Sequence, residues 1–178
     1  MKVTKNWLIK HNACSDGMSF VTEHKLIGSD ECDFIRQLVK LDKHDWALWL
    51  LVRRLDRKDR IRFAVYCAKD VLPIYEAEYP NDDRPRKAIE AAETCMKSNT
   101  KKNRDAADAA RVAALPAARV AALPAAEAGA AWSAAWEAAA RAAWAAARAA
   151  RVAADVASND QSAMNRYIEY GVELLEGK

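Results

Sequence analysis

Apolar residues recur at three- and four-residue steps along most of this chain, which is the spacing of amphipathic helices. The clearest instance lies between residues 56 and 98 and reads as helix, turn, helix. Ile61, Ala64, Val65, Ala68, Val71, Leu72 and Tyr75 share one face of a helix expected from residue 57 to 78, with Arg62, Lys69 and Glu76 on the other. Asp56 is placed to cap it, and Asp59 stands at the third position of a capping box. Pro73 falls inside the pattern, removes one backbone donor and crowds the preceding turn, so a kink is expected there. Pro80 ends the helix and residues 79 to 85 make the turn. Asp83 or Arg84 caps the next helix, and Pro85 takes its first turn, where a missing donor costs nothing. This helix reaches about residue 97, with Ala88, Ile89, Ala92 and Met96 inward and an Arg86–Glu90 pair outward.

The same reading extends to both ends. Trp7, Leu8 and His11 fit a short helix, and Gly17 marks a turn or a close-packing point. Ser29 reads as an N-cap followed by the stripe Phe34, Ile35, Leu38, Leu41; Asp42 and Asp45 read as the next cap and box. Residues 46 to 55 are apolar nearly all round, as in a helix buried on most sides. Four antiparallel helices with short connections are therefore expected across 29 to 98. Residues 97 to 104 are polar and basic, a linker. From 105 to 157 more than half the residues are alanine, the best helix former, and residues 109 to 116 repeat unchanged as 117 to 124. Pro116 and Pro124 should break or kink this run, giving two short segments before a long helix from about 124 to 157. On that helix Glu137, Arg141, Arg148, Arg151 and Asp155 share an arc, and Trp132, Trp136 and Trp144 fill gaps between close backbones. A last stripe of Met164, Tyr167, Ile168, Gly171, Val172 and Leu175 predicts a helix over 160 to 176, capped from 158 to 160 and stopped at Gly177. The fold class is thus all-α: a multi-helix bundle with an alanine-rich C-terminal half, expected to form one domain over residues 1 to 178.

Composition changes this picture little. Net charge is +3, from 28 basic and 25 acidic residues, a balance that implies neither a nucleic-acid binder nor an acidic tail. Cys14, Cys32, Cys67 and Cys95 are scattered within apolar patterns and read as reduced core residues of a cytoplasmic protein. No apolar run is long enough for a membrane span, and the first residues hold no signal-peptide core. His11, Cys14, His24 and Cys32 fit no zinc spacing, and His44 lies within a capping segment, so no metal and no cofactor is expected. There is no glycine-rich phosphate loop, no His-Glu-x-x-His and no nucleophile elbow, which points away from an enzyme.

The best candidate for partner contact is the turn, which carries Asp82, Asp83, Arg84, Arg86 and Lys87 on a segment stiffened by two prolines. The alternative is a well-capped helix connection with Arg84 or Arg86 paired to an acid such as Glu90 or Asp82. Two other function classes stay open. One is a ligand or nucleic-acid binder using Arg141, Arg148 and Arg151 with Lys97, Lys101, Lys102 and Arg104; the acids Glu137 and Asp155 neutralise much of that arc. The other is self-assembly through alanine faces, which leaves the oligomeric state open.

Asp45-Trp46-Ala47-x-Trp49-Leu50-Leu51, then Arg62-x-Ala64-x-Tyr66-x-Ala68, Val71-Leu72-Pro73-Ile74-Tyr75-Glu76 and the run from Tyr79-Pro80-x-Asp82-x-Arg84-Pro85 to Ala91-Ala92 carry a resemblance. The chain resembles a family of immunity proteins linked to bacterial polymorphic toxin systems, the fifth of the numbered immunity families, with similar sequences in bacteriophages. The resemblance implies an all-helical protein that binds and neutralises a toxin or other effector protein. It carries no catalytic residues, and the paired Leu-Pro repeat and extreme alanine content depart from it.

Overall fold

The computed structural model of the protein describes residues 1 to 122 and 161 to 177. Eight helices lie among them: α1 (Lys5–Lys10), α2 (Ser15–Glu23), α3 (Glu31–Lys40), α4 (His44–Arg54), α5 (Arg57–Glu78), α6 (Arg84–Lys97), α7 (Lys101–Ala122) and α8 (Gln161–Glu176). The only β pairing among the described residues is an isolated antiparallel bridge between Lys2 and Asp30. The protein is all-α, as the periodicities predict, and none of the described helices is long and apolar enough to cross a membrane. The helices fall into two compact units, Met1–Asp56 with Ser162–Lys178, and Arg57–Gln161.

In the first unit three successive helices end in the same way. α1, α2 and α3 close on a residue with left-handed backbone: Asn12 (φ 58°), Lys25 (φ 55°) and Asp42 (φ 58°). The next amide reaches five residues back each time, Ala13 to the Leu8 carbonyl, Leu26 to Val21 and Lys43 to Leu38. This Schellman closure satisfies carbonyls that the last turn leaves open. Leu8, Val21 and Leu38 are buried, so each closure also turns the chain back over apolar surface.

Two expected caps move as a result. Asp42 is used as a closing residue, and Lys43 takes the N-cap place of α4 without a side-chain cap bond. Asp30, not Ser29, caps α3, accepting from the Cys32 amide at 3.0 Å. Ser29 is held elsewhere: its carbonyl accepts from the Val3 amide and its hydroxyl donates to the Leu26 carbonyl. Cys14 is exposed rather than a core residue and caps α2, its Sγ accepting from the Gly17 amide at 3.3 Å. A Cβ on Gly17 would stand 3.2 Å from that sulfur, so Gly17 is the close-packing point and lies inside the helix. Cys32, Cys67 and Cys95 are buried thiols outside any disulfide, as expected.

α4 buries Ala47, Leu50, Leu51 and Val52, with Leu55 just beyond it, and none of residues 46 to 55 is exposed, as the apolar run predicts, although Trp46 and Trp49 are only half-buried. α8 buries Tyr167, Ile168, Val172 and Leu175, with Gly171 between them facing Leu51. Each Leu or Ile so enclosed contributes ~1.5–3 kcal/mol. At the edges Arg36 pairs with Glu176 at 2.7 Å, and His44 bonds Asn165 at 2.8 Å. A well-enclosed Arg54–Glu31 pair joins α4 to the start of α3.

In the second unit α5 runs from 57 to 78 through Pro73, with the bounds the pattern predicts. Ile61, Ala64, Val65, Ala68, Leu72 and Tyr75 are buried; Phe63 and Cys67 are buried as well, so the apolar surface is broader than one stripe. Asp59, also buried, takes Arg62 at 3.1 Å. α6 encloses Ala88, Ile89, Ala92 and Cys95, and Met96, on the same face near the helix end, is half-buried. The expected linker over 97 to 104 contracts to residues 98 to 100, because Thr100 and Asn103 begin α7 early: Thr100 Oγ1 accepts from the Asn103 amide, and Asn103 Nδ2 donates to the Ser98 carbonyl. α7 continues through Pro116 to Ala122 instead of breaking there; flanking alanines carry the propensity that one proline opposes. The expectations for Pro124, the long helix, Trp132, Trp136, Trp144, the Glu137–Asp155 arc and the cap at 158 to 160 lie outside the described residues.

Candidate interaction site

Residues 75 to 87 form a continuous polar network around the α5–α6 turn. Tyr75, on the last turns of α5, is buried, and a buried phenol needs a partner for its hydroxyl. It finds Asp82: Tyr75 Oη donates to Asp82 Oδ2 at 2.6 Å. The Asp82 carboxylate also accepts from the Arg84 amide at 3.1 Å and grips the Arg84 guanidinium with both oxygens, at 2.7 and 2.6 Å. Asp82 therefore does the capping work at the start of α6, while the Asp83 side chain makes no cap bond. Pro85 is buried in the first turn of α6, and the Tyr75 and Tyr79 rings lie 4.9 Å apart beneath the turn.

The electrostatics follow from this geometry. The Arg84 guanidinium holds the Asp82 carboxyl well below the usual carboxylate range, helped by the Tyr75 hydroxyl and the Arg84 amide. Burial, then the bond to Asp82, pushes the Tyr75 phenol well above its ordinary range. The Arg84 guanidinium is raised by its bond to Asp82.

The other charges are paired as well. Arg86 reaches Glu76 on α5 with a two-pronged bond, 2.8 and 2.6 Å, rather than making the pair with Glu90 along its own helix. Lys87 pairs with Asp83 at 2.8 Å. The five residues singled out from the sequence are thus brought together, but in two roles. Asp82 is saturated internally and its side chain is only 17% exposed. Asp83, Arg84, Arg86 and Lys87 have side chains 61%, 44%, 54% and 66% exposed and present charge outward. The sequence reading missed Tyr75 and Glu76 as members of the site. Tyr75 had been assigned to the apolar stripe, although its hydroxyl signalled a buried polar partner.

The other candidates are less convergent. Lys101 pairs with Asp105 at 2.7 Å, and Arg104 donates to the Asn99 carbonyl, so part of the basic stretch is used within its own helix start. Arg141, Arg148 and Arg151 lie outside the described residues. His11 and His24 each stack on an aromatic ring four residues earlier, Trp7 and Phe20. No group of three or more possible metal ligands is found among the described residues. No family model, no curated protein and no solved structure matches the chain.

Proposed function

We propose that this protein is a non-catalytic inhibitor that binds and neutralises a bacterial effector protein: an immunity protein, or a phage-encoded blocker of the same kind. The observation that carries the reading is the α5–α6 turn. Its backbone is fixed by Asp82, Tyr75 and Pro85, while Asp83, Arg84, Arg86 and Lys87 stand on the outside in defined ion pairs. A surface ordered before binding loses little conformational entropy on complex formation. Paired arginines also hold their planar forks in fixed directions, which suits recognition of a partner's carboxylates and carbonyls. The resemblance of the segments around residues 45 to 51 and 62 to 92 to toxin-linked immunity proteins supports the same reading.

The test is affinity purification of the tagged full-length chain from a bacterial lysate, followed by light scattering of the eluted species. The proposal expects one bacterial protein retained in a fixed molar ratio, whose toxic activity the chain suppresses on co-expression. Elution of the chain alone, or of many proteins in substoichiometric amounts, would overturn it.

A further inference from the structure

The first unit carries a second surface of different chemistry, on the outer face of α4. Lys43, Trp46, Trp49 and Arg53 follow one another at three- and four-residue steps and so share that face. Both tryptophans are half-buried; Leu50, one turn on from Trp46, and Leu51, across the helix from Trp49, are enclosed. The face is widened from two sides. Phe20 of α2 meets Trp46 edge-on at 5.2 Å, and Trp7 of α1 meets Trp49 edge-on at 6.2 Å. Basic groups lie over these rings: Lys43 Nζ at 5.2 Å from Phe20 and 5.5 Å from Trp46, and the Arg53 guanidinium at 4.2 Å from Trp49. Lys43 is half-buried and has no carboxylate within ion-pair distance among the described residues, so its charge rests on aromatic rings alone. The Lys43 ammonium so keeps its N–H donors for an external acceptor, whereas Arg53 gives one of its own to the Trp49 carbonyl at 3.2 Å.

We infer that this face docks an acidic protein segment, one that sets a carboxylate against Lys43 and apolar side chains against the edges of Trp46 and Trp49. The composition, with tryptophan and arginine clustered and half-exposed, is that of an interface hot spot. Charge complementarity names the occupant, because an otherwise uncompensated ammonium calls for an anion. Nucleic acid suits the face poorly. Base stacking needs free ring faces, and here His11 stacks on Trp7 and His24 on Phe20, each at 4.0 Å. This unit also carries as many acidic as basic side chains, so it lacks the electrostatic footprint of a phosphate-backbone binder. The inference does not depend on the α5–α6 turn, whose residues belong to the other unit.

The test is a titration of the full-length chain, isotope-labelled on tryptophan indole, with a capped twelve-residue peptide alternating Glu and Leu. The expected result is a saturable shift of the Trp46 and Trp49 indole signals. Lys43→Gln should weaken binding about tenfold, the scale of one lost charge-assisted hydrogen bond, while Lys43→Arg should keep it. Circular dichroism checks that each variant is folded, and if Lys43→Gln is not, the Lys43→Met variant replaces it in the comparison. Absence of a saturable shift would overturn the inference. So would equal binding of an alternating Lys and Leu peptide or of a twelve-nucleotide oligothymidine.

Discussion

At Gly171 α8 comes close against Leu51 of α4. A Cβ built there would stand 2.3 Å from Leu51 Cδ2 and 3.0 Å from both Cδ1 and Cγ. Ordinary carbon contacts lie at about 3.5–4.0 Å, so a Gly171→Ala methyl overlaps the leucine at three atoms. Leu51 is fully enclosed, and turning its χ2 to move Cδ2 still leaves Cγ too near. Overpacking of this kind costs ~1–3 kcal/mol. Against it stands the helix-propensity gain of alanine over glycine, ~0.8–1.0 kcal/mol. The expected net effect of Gly171→Ala is therefore a loss of up to ~2 kcal/mol. Leu51→Ala alone should cost ~2–5 kcal/mol through the lost transfer energy and the cavity left behind. In that background the sign reverses: the clash is gone, the new methyl fills part of the void, and Gly171→Ala should stabilise by ~1 kcal/mol or more. Guanidinium denaturation of the four proteins of the cycle, followed by circular dichroism, reads this directly. A Gly171→Ala variant that is more stable than the parent, or whose effect is the same with leucine or alanine at 51, would refute the close approach of the two helices.

Three further outcomes follow. The Asp82 carboxyl is held below its unfolded value of ~3.9, so its stabilisation is present above about pH 4 and is lost as pH falls through the lower folded value; Asp82→Asn should be less stable at neutral pH and should show a flatter acid limb in thermal melts across pH. The Tyr75 phenol is raised, so its stabilisation is present below about pH 10 and is lost as pH rises through the folded value; Tyr75→Phe should cost ~1.5–3 kcal/mol at neutral pH in urea denaturation and remove that alkaline loss. Lys25 holds a left-handed backbone at φ 55° without the side-chain help available to Asn12 or Asp42, so Lys25→Gly should raise stability by ~0.5–1 kcal/mol in the same assay.

Where one principle dominated, the sequence was easy to read. α5 runs from 57 to 78 as its apolar spacing predicts, and Tyr167, Ile168, Gly171, Val172 and Leu175 all lie inward on α8. Caps were harder, because several residues compete for one role. Ser29, Asp30 and Glu31 could each begin α3, and the choice was made by Val3 and Leu26, which hold Ser29 from a distance. The left-handed closures at Asn12, Lys25 and Asp42 carried no glycine to announce them. At the turn, the five charged residues were visible in the sequence, but their pairing was not: Arg86 has acids within reach both four residues ahead on its own helix and on α5, and only the tertiary approach of α5 selects Glu76. On α4 the half-buried Trp46 and Trp49 were not distinguishable from the enclosed Leu50 and Leu51, because an all-round apolar run does not tell which side stays partly open to solvent.

The central claim, that the α5–α6 turn is a contact surface, meets its most direct test in a charge swap that keeps the turn intact. The double variant Asp83→Lys with Lys87→Glu preserves an ion pair between the two positions while inverting the charge pattern shown to a partner. Its cost to the fold should stay within ~1 kcal/mol, the scale of a lysine placed at a helix N-terminus. Isothermal titration against the retained bacterial protein should show binding weakened about a hundredfold, with a melting temperature close to that of the parent chain. Unchanged affinity in a folded double variant would contradict the claim and leave the turn as a helix connection alone.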